Sequence, residues 1–245
     1  VTDPETPAAG EEHPGHEDGA RPGKRARKKR SFWVELPILL VVALALAFVF
    51  QHFLGRVYTI PSRSMEATLH GCEGCYGDKV LVDKITFDFT SPAQGDVVVF
   101  KGPDGWVANE ASTERSDNAV LRFLQNVGSP FGLAPPDEQD FVKRIIATGG
   151  QTVQCCDDRN RVLVDGKPLD EPYLHWENPA RQWQDSFPPV RVPDGYVWVM
   201  GDNRNNSCDS RCEPHDGPRG VVPVDNIIGK VRLIVLPPSR WGTVH

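Results

Sequence analysis

The first thirty residues contain no large apolar side chain beyond Val1. A segment so poor in hydrophobic surface, and rich in Pro, Gly and charge, cannot bury enough area to offset the entropy of ordering. That excludes a folded N-terminal domain and predicts a disordered tail over residues 1–30. No second Cys-x-x-Cys and no His-x3-His accompanies Cys72-x-x-Cys75, so a tetrahedral metal site lacks its other half and no metal is expected. Histidine is absent from the positions where a rigid strand and turn would hold an imidazole base. His13 and His16 lie in the tail, His52 in an apolar run, His175 in an irregular stretch and His245 at the end, leaving only His70 and His215, beside Cys- and Pro-rich turns, open for that role. After residue 54 there is no long uninterrupted apolar run; the last one is broken by Gly229, Lys230 and Arg232 and reads as a strand.

The charge is present in blocks. The net charge of -6 hides six acidic and no basic side chains in residues 1–20, then seven basic and no acidic ones in residues 21–30 (RPGKRARKKR). Directly after this block comes LPILLVVALALAFVFQHFL, residues 36–54, preceded by Phe32 to Val34. A run of that length suffices to cross a hydrocarbon core as a helix, and residues 31–54 are expected to be a transmembrane helix. A removed signal segment is the alternative, but the small-x-small triplets at Ala43–Ala45 and Ala45–Ala47 lie inside the run and none follows it, which favours an uncleaved anchor. Seven basic residues before the helix then place the N-terminus in the cytoplasm and residues 55–245 outside, in a single-pass protein of the cell membrane. Beside a spanning helix, RPGKRARKKR is the weaker candidate for a nucleic-acid arm, and no nucleic-acid partner is expected.

The external part reads as mainly β. Short β-branched runs fall at residues 57–60, 79–84, 96–100, 141–146, 161–166, 196–200 and 230–236, separated by Gly-Asp, Asp-Gly and Gly-Gly turns. Two loop-rich insertions interrupt the pattern, at about residues 102–140 and 167–193. In the first, Val120, Leu121, Phe123, Leu124 and Val127 recur at helical spacing before Gly128 and predict a short amphipathic helix. Its apolar face suits the β core better than a membrane surface, because Arg122 is its one basic residue. The second insertion, with Trp176, Trp183, Tyr173 and Phe187, reads as a minor subdomain. All six cysteines (72, 75, 155, 156, 208, 212) fall in the external part, as an oxidising compartment permits, and disulfides are expected with the pairing open.

Two segments carry reactive chemistry. Pro61-Ser62-Arg63-Ser64-Met65 places two hydroxyls on a stiff turn, and Phe141-Val142-Lys143-Arg144-Ile145-Ile146 places an amine in a hydrophobic strand. A serine hydroxyl needs a base within hydrogen-bond reach, and lysine can serve if burial disfavours its charged form. Alternation along a strand puts Lys143 on one face with Phe141 and Ile145, and Arg144 on the other with Val142 and Ile146. Taken locally, an edge-strand lysine that guards against aggregation is the simpler account.

The segments IPSRSM (60–65), GDVVVF (95–100), FVKRIIATGGQTV (141–153) and GDNRNNSCDSR (201–211) resemble, in order and kind, the sequence boxes of bacterial type I signal peptidases. HGCEGC and PPSRWG look like actinobacterial members in particular. The resemblance runs from about residue 36 to 241 and implies a mainly β fold: an N-terminal transmembrane helix followed by a signal-peptidase-like catalytic domain. It implies a membrane-bound serine endopeptidase without cofactor that removes signal peptides from exported preproteins after Ala-x-Ala sites. The signal peptides, the lipid bilayer and proximity to the translocation channel are the implied partners. By position, Ser64 is the implied nucleophile and Lys143 the general base; Ser62 and the Ser64 backbone N–H form the oxyanion hole. Ser207 would orient the lysine, with Asp209, Arg211 and Arg144 in support, while Ile60, Pro61, Met65, Leu69, Phe141 and Val142 would line the substrate pockets. Asn205 departs from the aspartate common in the family, and Cys208 and Cys212 flank the last box. The rivals are a self-cleaving repressor-type Ser-Lys protease and an inactive anchored binding module.

Overall fold

The computed structural model describes residues 32–49, 55–72, 77–103, 106, 140–178, 180–211 and 220–245. In chain order these form helix α1 (Phe32–Val49), strands β1 (Gly55–Thr59) and β2 (Lys79–Asp83), the one-turn helix α2 (Thr86–Phe89), β3 (Val97–Lys101), β4 (Asp140–Thr148), β5 (Thr152–Cys155), β6 (Val162–Val164), β7 (Lys167–Pro168), β8 (Phe187–Arg191), β9 (Tyr196–Met200), β10 (Val222–Pro223), β11 (Ile227–Leu236) and β12 (Gly242–Thr243). The architecture is mainly β. All seven β-branched runs picked out in the sequence coincide with strands.

The larger sheet has the order β1-β2-β11-β3-β4-β9-β10, with β12 on β11; the smaller has the order β7-β6-β5-β8. Neighbouring strands pair antiparallel throughout. The central strand β3 reads VVVFK and has four consecutive buried residues, because apolar side chains cover both of its faces. Val97 and Val99 join a cluster with Met65, Leu69 and Val82, whereas Val98 and Phe100 join Phe141, Ile145 and Val199. Beside it, β4 follows the expected alternation as far as Ile145: Phe141 and Ile145 enter one cluster and Val142 packs against the other. A register shift between Ile145 and Ala147 then turns Ile146 and Ala147 together into a third cluster, which the smaller sheet shares. Ile146 therefore does not stay with Val142 as strict alternation predicts.

The second insertion is partly regular. Its β8 reads FPPVR, and two prolines are tolerated because the strand lies at the edge of the smaller sheet. Cys155 and Cys156 at the end of β5 are bonded to each other, and Cys72 and Cys208 are each in a disulfide. The amphipathic helix expected over 120–127 lies outside the described residues, as does the tail.

Helix α1 has 18 residues, about 27 Å at 1.5 Å per residue against a hydrocarbon core of about 30 Å. Among the described residues no helix is long and apolar enough to cross a membrane. Residues 50–54, the end of the expected span, lie outside the described residues.

The packing of β3 against β4 predicts a large core penalty at Phe100, which is fully buried, stacks on Phe141 at 5.9 Å and meets Trp106 edge-on at 5.5 Å. Phe100→Ala should cost about 3–5 kcal/mol in urea unfolding; a loss below 1 kcal/mol would mean that the site collapses around the missing ring.

Candidate active site

Ser64 sits on a tight turn whose backbone is pinned from both sides. Within the turn, Glu66 N–H bonds Arg63 O at 3.1 Å and Leu69 N–H bonds Met65 O at 2.8 Å, with Met65 and Leu69 buried as its anchors. From across the chain, Asn203 N–H donates to Ser64 O at 3.0 Å and Asn203 Nδ2 to Arg63 O at 3.1 Å. The Ser62 and Ser64 hydroxyl oxygens are 3.2 Å apart.

Strand β4 brings the amine to this turn. Lys143 pairs with Val98 in register and is fully buried, and its Nζ lies 2.8 Å from Ser64 Oγ. Its neighbour Arg144, also buried, grips Asp202 bidentately, with Nε to Oδ1 at 2.8 Å and Nη2 to Oδ2 at 2.7 Å. Thr68, on the Ser64 turn, donates its hydroxyl to the same Asp202 oxygen. Arg144 Nη1 also donates to Gly95 O at 2.8 Å, tying the start of β3 to the same point.

The loop after β9 is built around Asp209. Its Oδ2 accepts Gly201 N–H at 2.9 Å, Ser207 Oγ–H at 2.8 Å and Arg211 Nη2 at 2.8 Å, and its Oδ1 accepts Arg211 Nε at 2.7 Å. Burial by itself pushes the Asp209 carboxyl up, but the Arg211 charge and the donors from Arg211, Gly201 and Ser207 outweigh it, holding the group below its ordinary value. Gly201 is where the loop and the Ser64 turn touch. A Cβ there would stand 2.3 Å from Ser207 Oγ and 2.5 Å from Ser64 O.

A second buried network braces that loop. Arg204 donates to Gly201 O at 3.1 Å, pairs with Glu171 and reaches Gln184 at 3.0 Å. Tyr173 donates to Glu171 at 3.0 Å and lies under the Arg144 guanidinium, 3.9 Å from ring centroid to Cζ; its burial and the Glu171 charge push its phenol up. His175 N–H bonds Asp202 O at 2.9 Å. The second insertion thus buttresses the site.

A hydroxyl and an amine at this separation, both buried, with a second hydroxyl beside them, have the parts for acyl transfer. Residues 33–236 match the family described as signal peptidase, peptidase S26. The chain belongs to the bacterial type I signal peptidases. It is 51% identical over 238 residues to the probable signal peptidase I of Mycobacterium leprae, covering 89% of this chain and 81% of the relative. Against signal peptidase I of Mycobacterium tuberculosis it is 47% identical over 256 residues, covering 99% and 84%. A probable signal peptidase I-1 of Synechocystis is 39% identical, with 83% of each chain covered. The actinobacterial likeness of this peptidase is therefore shared along nearly its whole length.

In this signal peptidase the predicted site residues divide into three groups. Ser62, Ser64 and Lys143 come together directly. Ser207, Asp209, Arg211 and Arg144 surround them as two ion-paired supports. Of the pocket set, Ile60, Met65, Leu69 and Phe141 are buried, and Pro61 and Val142 keep some exposed surface. Sequence reasoning missed Thr68, Gly201, Asp202, Asn203, Glu171 and Arg204. For Gly201 to Asn203 the signal was present, since the GDN tripeptide opens a recognised box; for Thr68 and Glu171 nothing local marks the role.

Two outcomes follow from this geometry. Gly201→Ala should lower peptide cleavage by about 100-fold, since displacements near 1 Å have that effect, while circular dichroism stays that of the wild type; unaltered turnover would show that the close approach is dispensable. Because the folded protein holds Asp209 below its unfolded value of about 3.9, the stabilisation is complete above that pH and is lost as the pH falls through the lower folded value. Asp209→Asn should therefore be less stable at neutral pH yet lose less further stability below about pH 4; parallel acid unfolding curves for the two proteins would remove Asp209 from the account.

Proposed function

We propose that this chain is a membrane-anchored serine endopeptidase that removes N-terminal signal peptides from exported preproteins by a Ser64–Lys143 dyad, cleaving after Ala-x-Ala-type sites. The observation that carries the reading is the 2.8 Å separation of Lys143 Nζ and Ser64 Oγ in a buried site of a signal peptidase family member. That distance is within proton-transfer reach.

Lys143 takes the Ser64 proton as Oγ attacks the scissile carbonyl. The charge that develops on the carbonyl oxygen is met by Ser64 N–H and Ser62 Oγ–H, each worth roughly 3–4 kcal/mol. Lys143 returns the proton to the leaving amine, an ester to Ser64 remains, and the same lysine then activates the water that releases the signal peptide. Ser207 orients the lysine and is itself held by Asp209 and Arg211. The scheme needs no metal or organic cofactor. An extended substrate lies along Ile60-Pro61 and Phe141-Val142, where shallow pockets select small side chains before the cut.

The anchor is the apolar run 36–54, preceded by the basic block, with the N-terminus in the cytoplasm and the β body outside, beside the translocation channel. Disulfides at the cysteines suit that oxidising side. Ser64→Ala and Lys143→Ala should each abolish preprotein cleavage, at least a 1,000-fold loss in order of magnitude, with thermal unfolding close to wild type. Normal cleavage by Lys143→Ala would sink the dyad, and failure of a serine-directed acylating inhibitor to label Ser64 would favour the inactive binding module.

A further inference from the structure

A cavity of about 520 Å³ opens between the second insertion and the loop that carries Ser207, within the range of ligand sites. Its walls include Glu177, Arg181, Trp183, Asp185, Asn205 and Ser207. None of the six residues expected to hold the substrate before the cut lines it. Ser64 and Lys143 do not line it either, but two contacts tie its walls to the Ser64 turn. Ser207 and the Ser64 carbonyl both crowd against Gly201, and Arg63, the residue next to Ser64, is paired with Glu177 at 3.2 Å.

The cavity is built rather than incidental. Asn205 Nδ2 donates to Trp183 O at 2.8 Å, which ties the aromatic wall to the loop that carries Ser207. An aspartate, common in the family at this position, has no donor to make that bond when ionised. Asn206 Nδ2 reaches Glu177 at 3.4 Å, and the Arg181 guanidinium stands 4.9 Å from the Trp183 ring centroid. Trp183 keeps 48% of its surface exposed even with Arg181 over its ring, which leaves indole surface accessible to a ligand. Arg204 and Arg211, also in the wall, are committed to Glu171 and Asp209. The polar character of the opening therefore comes from Glu177, Asp185 and Arg181 around the indole.

We propose that this cavity binds the first residues of the mature polypeptide, those that follow the scissile bond, with Trp183 as the platform and Asn205 as the residue that holds it in place. The proposal rests on the peptidase reading, because a chain threaded past Ser64 must leave on the side opposite the pockets that hold it before the cut. The ligand is an extended peptide with polar side chains, its backbone lying across the indole and its side chains meeting the charged rim.

Two substrates with the same residues before the cut test this: one continues for five residues after it, and the other carries a small chromogenic amine as its leaving group. In the full-length protein, Trp183→Ala should lower the ratio of kcat/KM for the long over the short substrate by about tenfold, the size of effect expected for an aromatic anchor. Asn205→Leu should lower it in the same direction. The five-residue product peptide, with its free amine, should inhibit hydrolysis of the short substrate, and Trp183→Ala should weaken that inhibition. An equal loss for both substrates would mean that the wall merely braces Ser207 and would overturn the proposal, as would an unchanged ratio. Wild-type protein that cleaves neither substrate would instead overturn the peptidase reading and take this inference with it.

Discussion

The ion pair between Arg144 and Asp202 is the contact on which the rest of the site depends. Both side chains are buried, and each is the chain neighbour of a residue that must be placed: Arg144 follows Lys143, while Asp202 stands between Gly201 and Asn203, which touch the Ser64 turn. Thr68, from the turn itself, closes the triangle on the same carboxylate. A bidentate guanidinium–carboxylate pair has little rotational freedom, so it fixes the relative position of three chain segments separated by 134 and 58 residues. Its value lies in geometry more than in net stability. Desolvating two charges offsets most of their attraction, whereas removing one partner leaves the other buried alone at a cost of about 3–5 kcal/mol.

The same logic recurs twice around the loop after β9. Asp209 is matched by Arg211 and Glu171 by Arg204, and all three carboxylates lie in the interior with their own guanidinium. Each pair bonds or contains a residue of the Gly201 to Asn203 tripeptide or its immediate neighbours: Asp209 takes Gly201 N–H, Arg204 takes Gly201 O, and Arg144 takes Asp202. Three locally neutral pairs therefore hold one tripeptide. Hydrogen bonds in so dry a setting are strong when satisfied and expensive when broken, which makes the loop rigid and intolerant of small displacements. Rigidity there carries over to Ser64, because Asn203 N–H holds its carbonyl.

How much of this the sequence reveals depends on the range of the interaction. The strands β2, β3, β9 and β11 are legible because β-branched runs bounded by glycine turns leave few alternatives. Strand β8 is not, since Pro188 and Pro189 argue against a strand until its edge position is known. The turn at Ser64 and the lysine at 143 could be located from their segments, yet only the ordered boxes made Lys143 more than an edge-strand lysine. The bracing network is invisible locally. Glu171 and Tyr173 sit in a proline-rich stretch that reads as a loop, and their function comes from contact with Arg204 and Arg144, about thirty residues away on either side. The register shift at Ile145 to Ala147 was equally hidden, because nothing in IIAT departs from an ordinary strand.

That register shift bears on why lysine and arginine can be consecutive here. On an undisturbed strand the two side chains leave opposite faces. The structure keeps this alternation through Arg144, so Lys143 serves the Ser64 hydroxyl while Arg144 serves Asp202, and the shift falls only after both have been placed. Beyond it, Ile146 and Ala147 are free to join the cluster shared with the smaller sheet, and that sheet carries Phe187 and leads into the Trp183 and Gln184 wall. One strand thus does three jobs in order along its length: it presents an apolar residue at Phe141, the buried Lys143 amine and the ion-paired Arg144 beside it, and the anchor of the second sheet at 146 and 147. A slip of one residue in its pairing with β3 would exchange the faces of Lys143 and Arg144. The burial of Phe100 and Val98 against Phe141 and Ile145 is what forbids it.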